Sequence, residues 1–255
     1  VLFTPTTNSF SFNKLNLASS FSKSKEQASI GYYSTYLNRY KTKVSLTSST
    51  RSALHKYQFP TTENAYVHID LTHRDPLLKC HLEWVDDHTI RGYRYSKGWA
   101  HQQRIYFYAV FDHAMEGYAL KAGNDTSIHW HTAQQKITLQ NVNQAILSFG
   151  KVGTLYVKVG ISAVSMDGAK RNLQSEIPAF DVERLVQQQI NTWDSVLSKI
   201  EVTGGTHDEQ VIFYTALYHS FLNPNTYQDV DGAYLGRDFK IHKSATPYFS
   251  VFSLW

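Results

Sequence analysis

Between residues 31 and 161 the chain repeats one pattern: short segments of alternating apolar and polar residues, separated by turn residues, with no helical periodicity between them. Alternation with a period of two puts one set of side chains on each face of a strand. Such segments fall near residues 31–37, 41–48, 53–59, 65–71, 80–85, 89–95, 104–111, 127–131, 145–149 and 155–161. Strands at this spacing, with no helices to carry parallel crossovers, predict an antiparallel β-sandwich. Asp86-Asp87-His88 reads as a hairpin turn, and Pro60 ends the strand before it because it has no amide to donate. Tyr66, His68 and Asp70 alternate with Val67, Ile69 and Leu71, which predicts one wet face and one dry face. Residues 1–25, rich in Ser, Thr and Asn, predict irregular structure or a loosely held edge strand.

Composition supports a packed domain and narrows its partners. With 42% apolar and 14% aromatic residues, the 255-residue chain can build a sizeable core. Most aromatic rings in such a chain pack in the core or in cross-strand pairs, although some can serve as platforms for sugar rings. The net charge of +4 is spread along the sequence without runs of five or six basic residues, so a solvated surface is expected and a nucleic-acid partner is not. No apolar run approaches the ~18 residues that a membrane span needs, and the first residues carry no signal-peptide pattern. The single cysteine, Cys80, excludes an internal disulfide and lies in a strand-like run, where a buried inert thiol is expected.

The pattern changes after residue 165. Residues 168–176 can form a short helix that Pro178 breaks, and 180–200 a longer one with Val182, Leu185, Ile190, Trp193, Leu197 and Ile200 along one face. Asp181 fits its N-cap. Thr206 and Glu209 have the spacing of a capping box, so a third helix should begin near His207. Its positions Val211, Tyr214, Thr215, Tyr218 and Leu222 predict one buried face, and Asn223-Pro224-Asn225 ends it. Then DVDGAYLGRD, residues 229–238, predicts a hairpin or shaped loop around Asp231-Gly232. We therefore divide the chain into a β-sandwich over 1–165, a helical linker over 166–202 and the first segment of a further domain over 203–255. No internal repeat is visible.

The strings GGTHDEQVIFYTALYHSFLNPN, DVDGAYLGRD and FSVFSLW resemble the bacterial exo-acting α-mannosidases of glycoside hydrolase family 92. Upstream blocks match in the same order: EQASIGYYSTYL, GISAVSMDGAKRNLQSEIP and INTWDSVLSKIEV, so the resemblance covers residues 21–255. It implies an N-terminal β-sandwich, a helical linker and a catalytic α/α toroid of which this chain holds only the start. It also implies inverting, Ca²⁺-dependent hydrolysis of terminal α-linked mannose, α-1,2 being the commonest linkage, by an exported enzyme that is periplasmic, cell-surface or secreted. Mannose-containing glycans and the remaining C-terminal toroid of the same polypeptide are the implied partners. The acid, the base and the calcium ligands of the family lie downstream of Trp255, so the resemblance places no catalytic or metal residue in this chain, and the piece alone is expected to be inactive.

What the resemblance does carry over is sugar contact. Trp255 stands at the tryptophan that helps form the pocket for the terminal mannose. SKGWA, residues 96–100, looks like the sandwich loop that reaches into that pocket, which makes Trp99 and Gly98 candidates for substrate binding. Gly98 would permit close backbone approach and Trp99 would offer an apolar ring face; a core position for either tryptophan is the competing reading.

Other chemistry-bearing residues weigh less. Hydrolysis of a glycosidic bond usually takes two carboxyl groups, and the crowded acids are Asp229, Asp231 and Asp238. By residue type they could be a catalytic pair or a hard-metal site, yet Asp-x-Asp-Gly is foremost turn chemistry. His129 and His131 could share a strand face as a Zn²⁺ pair, but no third ligand is evident and a polar strand face is the simpler reading. His219 and His242 read as hydrogen-bonding structure. Gly204-Gly205-Thr206 could receive an anion but lacks the lysine of a phosphate loop. A stand-alone carbohydrate-binding sandwich or a purely structural domain are the alternatives to an enzyme fragment.

Overall fold

The computed structural model describes residues 1–8, 17–98, 100–123, 129–133 and 141–250. In chain order the sandwich strands are β1 (Leu2–Thr6), β2 (Gln27–Ser29), β3 (Tyr32–Leu37), β4 (Thr42–Ser48), β5 (Ser52–Gln58), β6 (Tyr66–Asp70) and β7 (Leu77–Asp86). There follow β8 (Thr89–Ser96), β9 (Gln103–Phe111), β10 (Gly117–Ala122), β11 (Trp130–Thr132), β12 (Val142–Ser148) and β13 (Thr154–Ser162). They form a five-stranded sheet in the order β1-β6-β12-β10-β11 and an eight-stranded sheet in the order β2-β3-β4-β5-β13-β9-β8-β7. Every pairing is antiparallel. The expected mainly-β, antiparallel sandwich is what forms.

Its core is the set of side chains on the two facing sheets. Val67 and Ile69 on β6, Leu147 on β12, Phe107 and Phe111 on β9, and Leu155 and Val157 on β13 are all closed off from solvent. Burial on this scale, at roughly 1.5–3 kcal/mol for a large apolar side chain, is the main term holding the sheets together. Cys80 is buried in the same core; its Sγ lies 3.3 Å from the Val142 carbonyl and burial pushes the thiol up, as an inert cysteine requires.

The second face of the eight-stranded sheet is covered by helices. α1 (Met166–Glu176) starts on Ser165, whose hydroxyl accepts from the Gly168 amide at 2.9 Å. α2 (Val182–Leu197) starts on Asp181, whose carboxylate accepts from Arg184 N at 2.9 Å. Ala169, Leu173, Ile177, Val182 and Leu185 bury against Leu54 and Tyr108 of the sheet. Along the predicted α2 face Val182 and Leu185 are buried and Ile190, Trp193 and Leu197 half-buried, while Ile200 is exposed. The expected capping box opens α3 (His207–Ser220), with both of its hydrogen bonds formed. Beyond it lie β14 (Asn225–Thr226), β15 (Ala233–Leu235), β16 (Ile241–Lys243) and β17 (Phe249–Ser250), paired as β14–β17 and β15–β16.

Three expectations are corrected. The apolar face of α3 is not buried: none of its residues is closed off, Val211 and Leu222 are exposed, and only Tyr214 and Tyr218 are half-covered. Trp193 of α2 lies 4.6 Å from the Tyr218 ring, the Tyr214 hydroxyl accepts from the Val202 amide at 3.2 Å and donates to the Ile200 carbonyl at 3.4 Å, and the helix carries its own caps. His68 is not on a wet face. It is 3% exposed, on a strand flanked by β1, where Thr4 lies opposite it, and by β12, where Ile146 does. Of residues 127–131, only 129–131 are described; the strand there is Trp130–Thr132, leaving His129 outside it, and His131 packs 5.4 Å from the Tyr118 ring. Strands β10 and β2 were not foreseen.

Candidate functional site

Two parts of the chain converge beside the end of α1. One is the end of the β8–β9 hairpin, where Tyr95 pairs with Arg104 and Ser96 with Gln103. The other is the segment from 225 to 250. The Arg104 guanidinium joins them: it stands 5.3 Å over the Tyr95 ring and 5.0 Å over the Phe239 ring. Between them is a cavity of about 190 Å³, walled by Arg51, Arg104, Ile161, Ser162, Tyr227 and Gln228 among others. A larger hollow of about 330 Å³ lies against β1, β6 and β12, but its one carboxylate, Asp70, is already engaged by Thr72.

The cavity wall from 226 to 231 is fastened at several points. Asp229, 3% exposed, accepts from Ser162 Oγ at 2.7 Å and from Asn172 Nδ2 at 2.8 Å. Asn172 returns the contact by accepting from the Val230 amide at 2.9 Å. Burial holds the Asp229 carboxyl above the usual carboxylate range, against the opposing pull of those two donors. Asp231 meets Arg171 at 3.1 Å, and Arg51 is paired to Glu176 at 2.7 Å. The Tyr227 amide donates to the Tyr248 carbonyl at 2.9 Å, and Tyr248 stacks on Tyr234 with ring centroids 3.9 Å apart.

The three crowded acids thus divide. Asp229 is a buried tie, Asp231 pairs with α1, and Asp238 is exposed with its carboxyl held low chiefly by His242, 3.0 Å away. Asp231-Gly232 makes a turn in which Gly232 N reaches the Asp229 carbonyl at 2.9 Å with φ +82°; the hairpin itself closes later, between β15 and β16. Asp229 and Asp231 are thus each engaged by partners in β13 and α1. Among the described residues no three His, Cys, Asp or Glu side chains gather to hold a metal, and His129 and His131 have no third partner of that kind.

Of the sugar-contact candidates, Gly98 is described. It is exposed in the β8–β9 connection, its amide donates to the Ala100 carbonyl at 3.0 Å, and a Cβ there would come within 3.2 Å of Asp75 Oδ1. Trp99 and Trp255 lie outside the described residues. Arg104, Tyr227, Tyr248 and the Asp229 tie were not singled out from sequence. The only available signal for Arg104 was an arginine one turn away from the SKGWA string, in register with Tyr95.

Comparison with known proteins fits this architecture. The glycosyl hydrolase family 92 N-terminal domain matches residues 1–162, and the glycosyl hydrolase family 92 catalytic domain matches residues 168–255. A solved family GH92 α-mannosidase from Bacteroides thetaiotaomicron is 31% identical with a TM-score of 0.87, over 100% of this chain and 36% of its own. The structure of that α-mannosidase in complex with mannoimidazole gives 30% identity and a TM-score of 0.84, over 100% and 35%. A family GH92 inverting mannosidase from the same organism, 22% identical over 97% of this chain and 33% of its own, shares the fold at a TM-score of 0.83. No curated protein matches. The chain spans about a third of the length of these structures. With both of its halves matched in order, the chain belongs to glycosyl hydrolase family 92, joining the family's N-terminal domain to part of its catalytic domain.

Proposed function

We propose that this chain forms one wall of the terminal-mannose pocket of an inverting exo-α-mannosidase. The observation that carries the reading is the Arg104 bridge, which brings the sandwich hairpin bearing Gly98 against the segment that runs toward Trp255. In this reading Trp99 and Trp255 offer ring faces to the sugar and Gly98 lets the backbone come close. The sandwich orients the substrate and helps exclude water, while proton transfer belongs to a carboxyl pair outside this chain. Inversion needs those carboxyls roughly 6.5–9.5 Å apart so that a water fits between them and the sugar. Calcium is proposed for residues that the chain does not include, and no step is assigned to it here. Terminal α-1,2-linked mannose on exported glycans is the proposed substrate, with the enzyme acting in the periplasm, at the cell surface or outside the cell.

The test uses the full-length enzyme on α-1,2-mannobiose with the product followed by proton NMR. Initial appearance of β-mannose, activity lost to a chelator and restored by Ca²⁺, and a raised KM in Trp99→Ala would bear the reading out. Initial α-mannose, indifference to chelation, or turnover by residues 1–255 alone would overturn it.

A further inference from the structure

The buried Asp229 is unusual in what it joins. Its two carboxylate oxygens are used by donors from different elements, Ser162 at the end of β13 and Asn172 in α1. Ser162 Oγ meanwhile accepts from the amides of Val164 at 2.9 Å and Ser165 at 3.3 Å. Asn172 Nδ2 is shared with the Ile161 carbonyl at 2.8 Å, and its Oδ1 takes the Val230 amide. The two residues after β13, the start of α1 and the turn at 229–233 are therefore closed into one hydrogen-bonded ring with no exposed member at its centre. Gly168 completes it, since a Cβ at that position would press on Asp229 Oδ2 and lie 2.8 Å from Ser162 Oγ. A neutral apolar contact of the same shape would cost less to bury than this carboxylate. What the carboxylate adds over such a contact is directional: two acceptors that fix two separate elements.

We propose that Asp229 is a positioning residue: through Ser162 and Asn172 it sets the register of segment 226–250 on the sandwich, and so places the pocket wall that this segment carries. The inference rests on the pocket reading above. The consequence runs from Asp229 to the Gln228 and Tyr227 positions beside it, and through Tyr227 N to the Tyr248 carbonyl, two residues before 250. An asparagine at 229 keeps the shape but only one of the two acceptors. Whichever way its amide turns, its nitrogen faces Ser162 Oγ or Asn172 Nδ2, and that donor loses its acceptor.

The experiment compares full-length wild type with Asp229→Asn and Ser162→Ala by hydrogen exchange and by steady-state kinetics on a synthetic aryl α-mannoside. The amides of Tyr227, Asp229 and Gly232 should exchange at least ~10-fold faster in both variants, with sandwich amides unchanged. Activity per folded molecule should fall about 10- to 100-fold, in kcat more than in KM, because misplacement of about 1 Å costs that much. A role in folding alone would lower the unfolding midpoint while leaving kinetics per folded molecule intact, and that result would overturn the proposal. Unchanged exchange at 227–232 would also overturn it. If Asp229→Asn does not fold, Ser162→Ala, which removes one donor only, decides between these outcomes. Should the wild type prove inactive on α-mannosides, the pocket reading fails by itself, while the exchange data still report on the tie.

Discussion

The Arg104 guanidinium of β9 lies 5.0 Å over the ring of Phe239, a residue of the segment matched to the catalytic domain. A sandwich cation thus rests on an aromatic face from beyond the linker helices. Phe239 is 47% exposed and takes φ +59°, a left-handed conformation that costs a non-glycine residue of order 1 kcal/mol. The contact with Arg104 offsets part of that cost. A double-mutant cycle of Arg104→Met and Phe239→Leu should give a coupling of about 0.5–1 kcal/mol in thermal or urea unfolding. Additive effects would show that the two groups are neighbours without interaction.

The contact between β13 and α1 allows no side chain at Gly160. A Cβ there would run into the Ala169 carbonyl and sit 2.7 Å from Leu173 Cβ. Backbone cannot give way as a flexible side-chain end can, so Gly160→Ala should destabilise by about 1–3 kcal/mol and shift α1 outward. Gly153→Ala, where the nearest atom is Thr61 Cγ2 at 3.5 Å, is the control and should be tolerated within about 0.5 kcal/mol. Urea midpoints of the two variants check the pair; equal midpoints would remove the close-approach account.

What the sequence revealed and what it hid follow one rule. β4, β5, β8 and β9 were legible because each faces two different environments, so their alternation survives in the residues. β10 was missed because Gly117, Tyr118 and Ala119 are buried in succession and no alternation remains to be read. His68 was read as wet because alternation within one strand does not show its flanks: β1 and β12 pair on either side of β6, and composition reads β1 only as an irregular edge. Gly98, Trp99 and Trp255 were singled out as candidates through resemblance alone. Arg104 and Asp229 could not be, since a guanidinium over a distant ring and a carboxylate between Ser162 and Asn172 leave no local spacing in the chain.

α3 shows the limit in the other direction. Its capping box formed as read, with the Thr206 amide donating to Glu209 Oε2 at 2.7 Å and the Glu209 amide to Thr206 Oγ1 at 3.3 Å. Local signals sufficed to start the helix, whereas burial of its apolar face depends on contacts that no local spacing specifies. With no buried residue, α3 should draw an unusually large share of its order from that cap. Thr206→Ala should cost about 1 kcal/mol, appearing as faster amide exchange across the first turns of α3 in residues 1–255 while the sandwich unfolds at the same midpoint. Unchanged exchange would show that the Trp193–Tyr218 contact and the Tyr214 hydroxyl's bonds to the 200–202 backbone, and not the cap, hold the helix.

Acid should weaken the sandwich through two histidines. His55 Nδ1 is 2.7 Å from the Tyr57 hydroxyl with the Phe3 ring edge-on at 6.2 Å, and His68 is 3% exposed on β6 between β1 and β12. Burial depresses both rings from 6.5 to about 4, His68 against a contrary pull from the Asn8 backbone. The folded state therefore holds them neutral while the unfolded chain protonates them near 6.5, so the unfolded state binds more protons between pH 6.5 and 4. Stability present above pH 6.5 is lost as pH falls through that window, and their contribution levels off below pH 4. Each tenfold change in proton affinity is worth about 1.4 kcal/mol, which sets an upper bound of roughly 3.5 kcal/mol per histidine. Urea unfolding of the full-length protein from pH 8 to 4 should show the decline, and His55→Gln with His68→Gln should flatten it. An acid limb of the same steepness in the double variant would assign the loss to carboxylates instead.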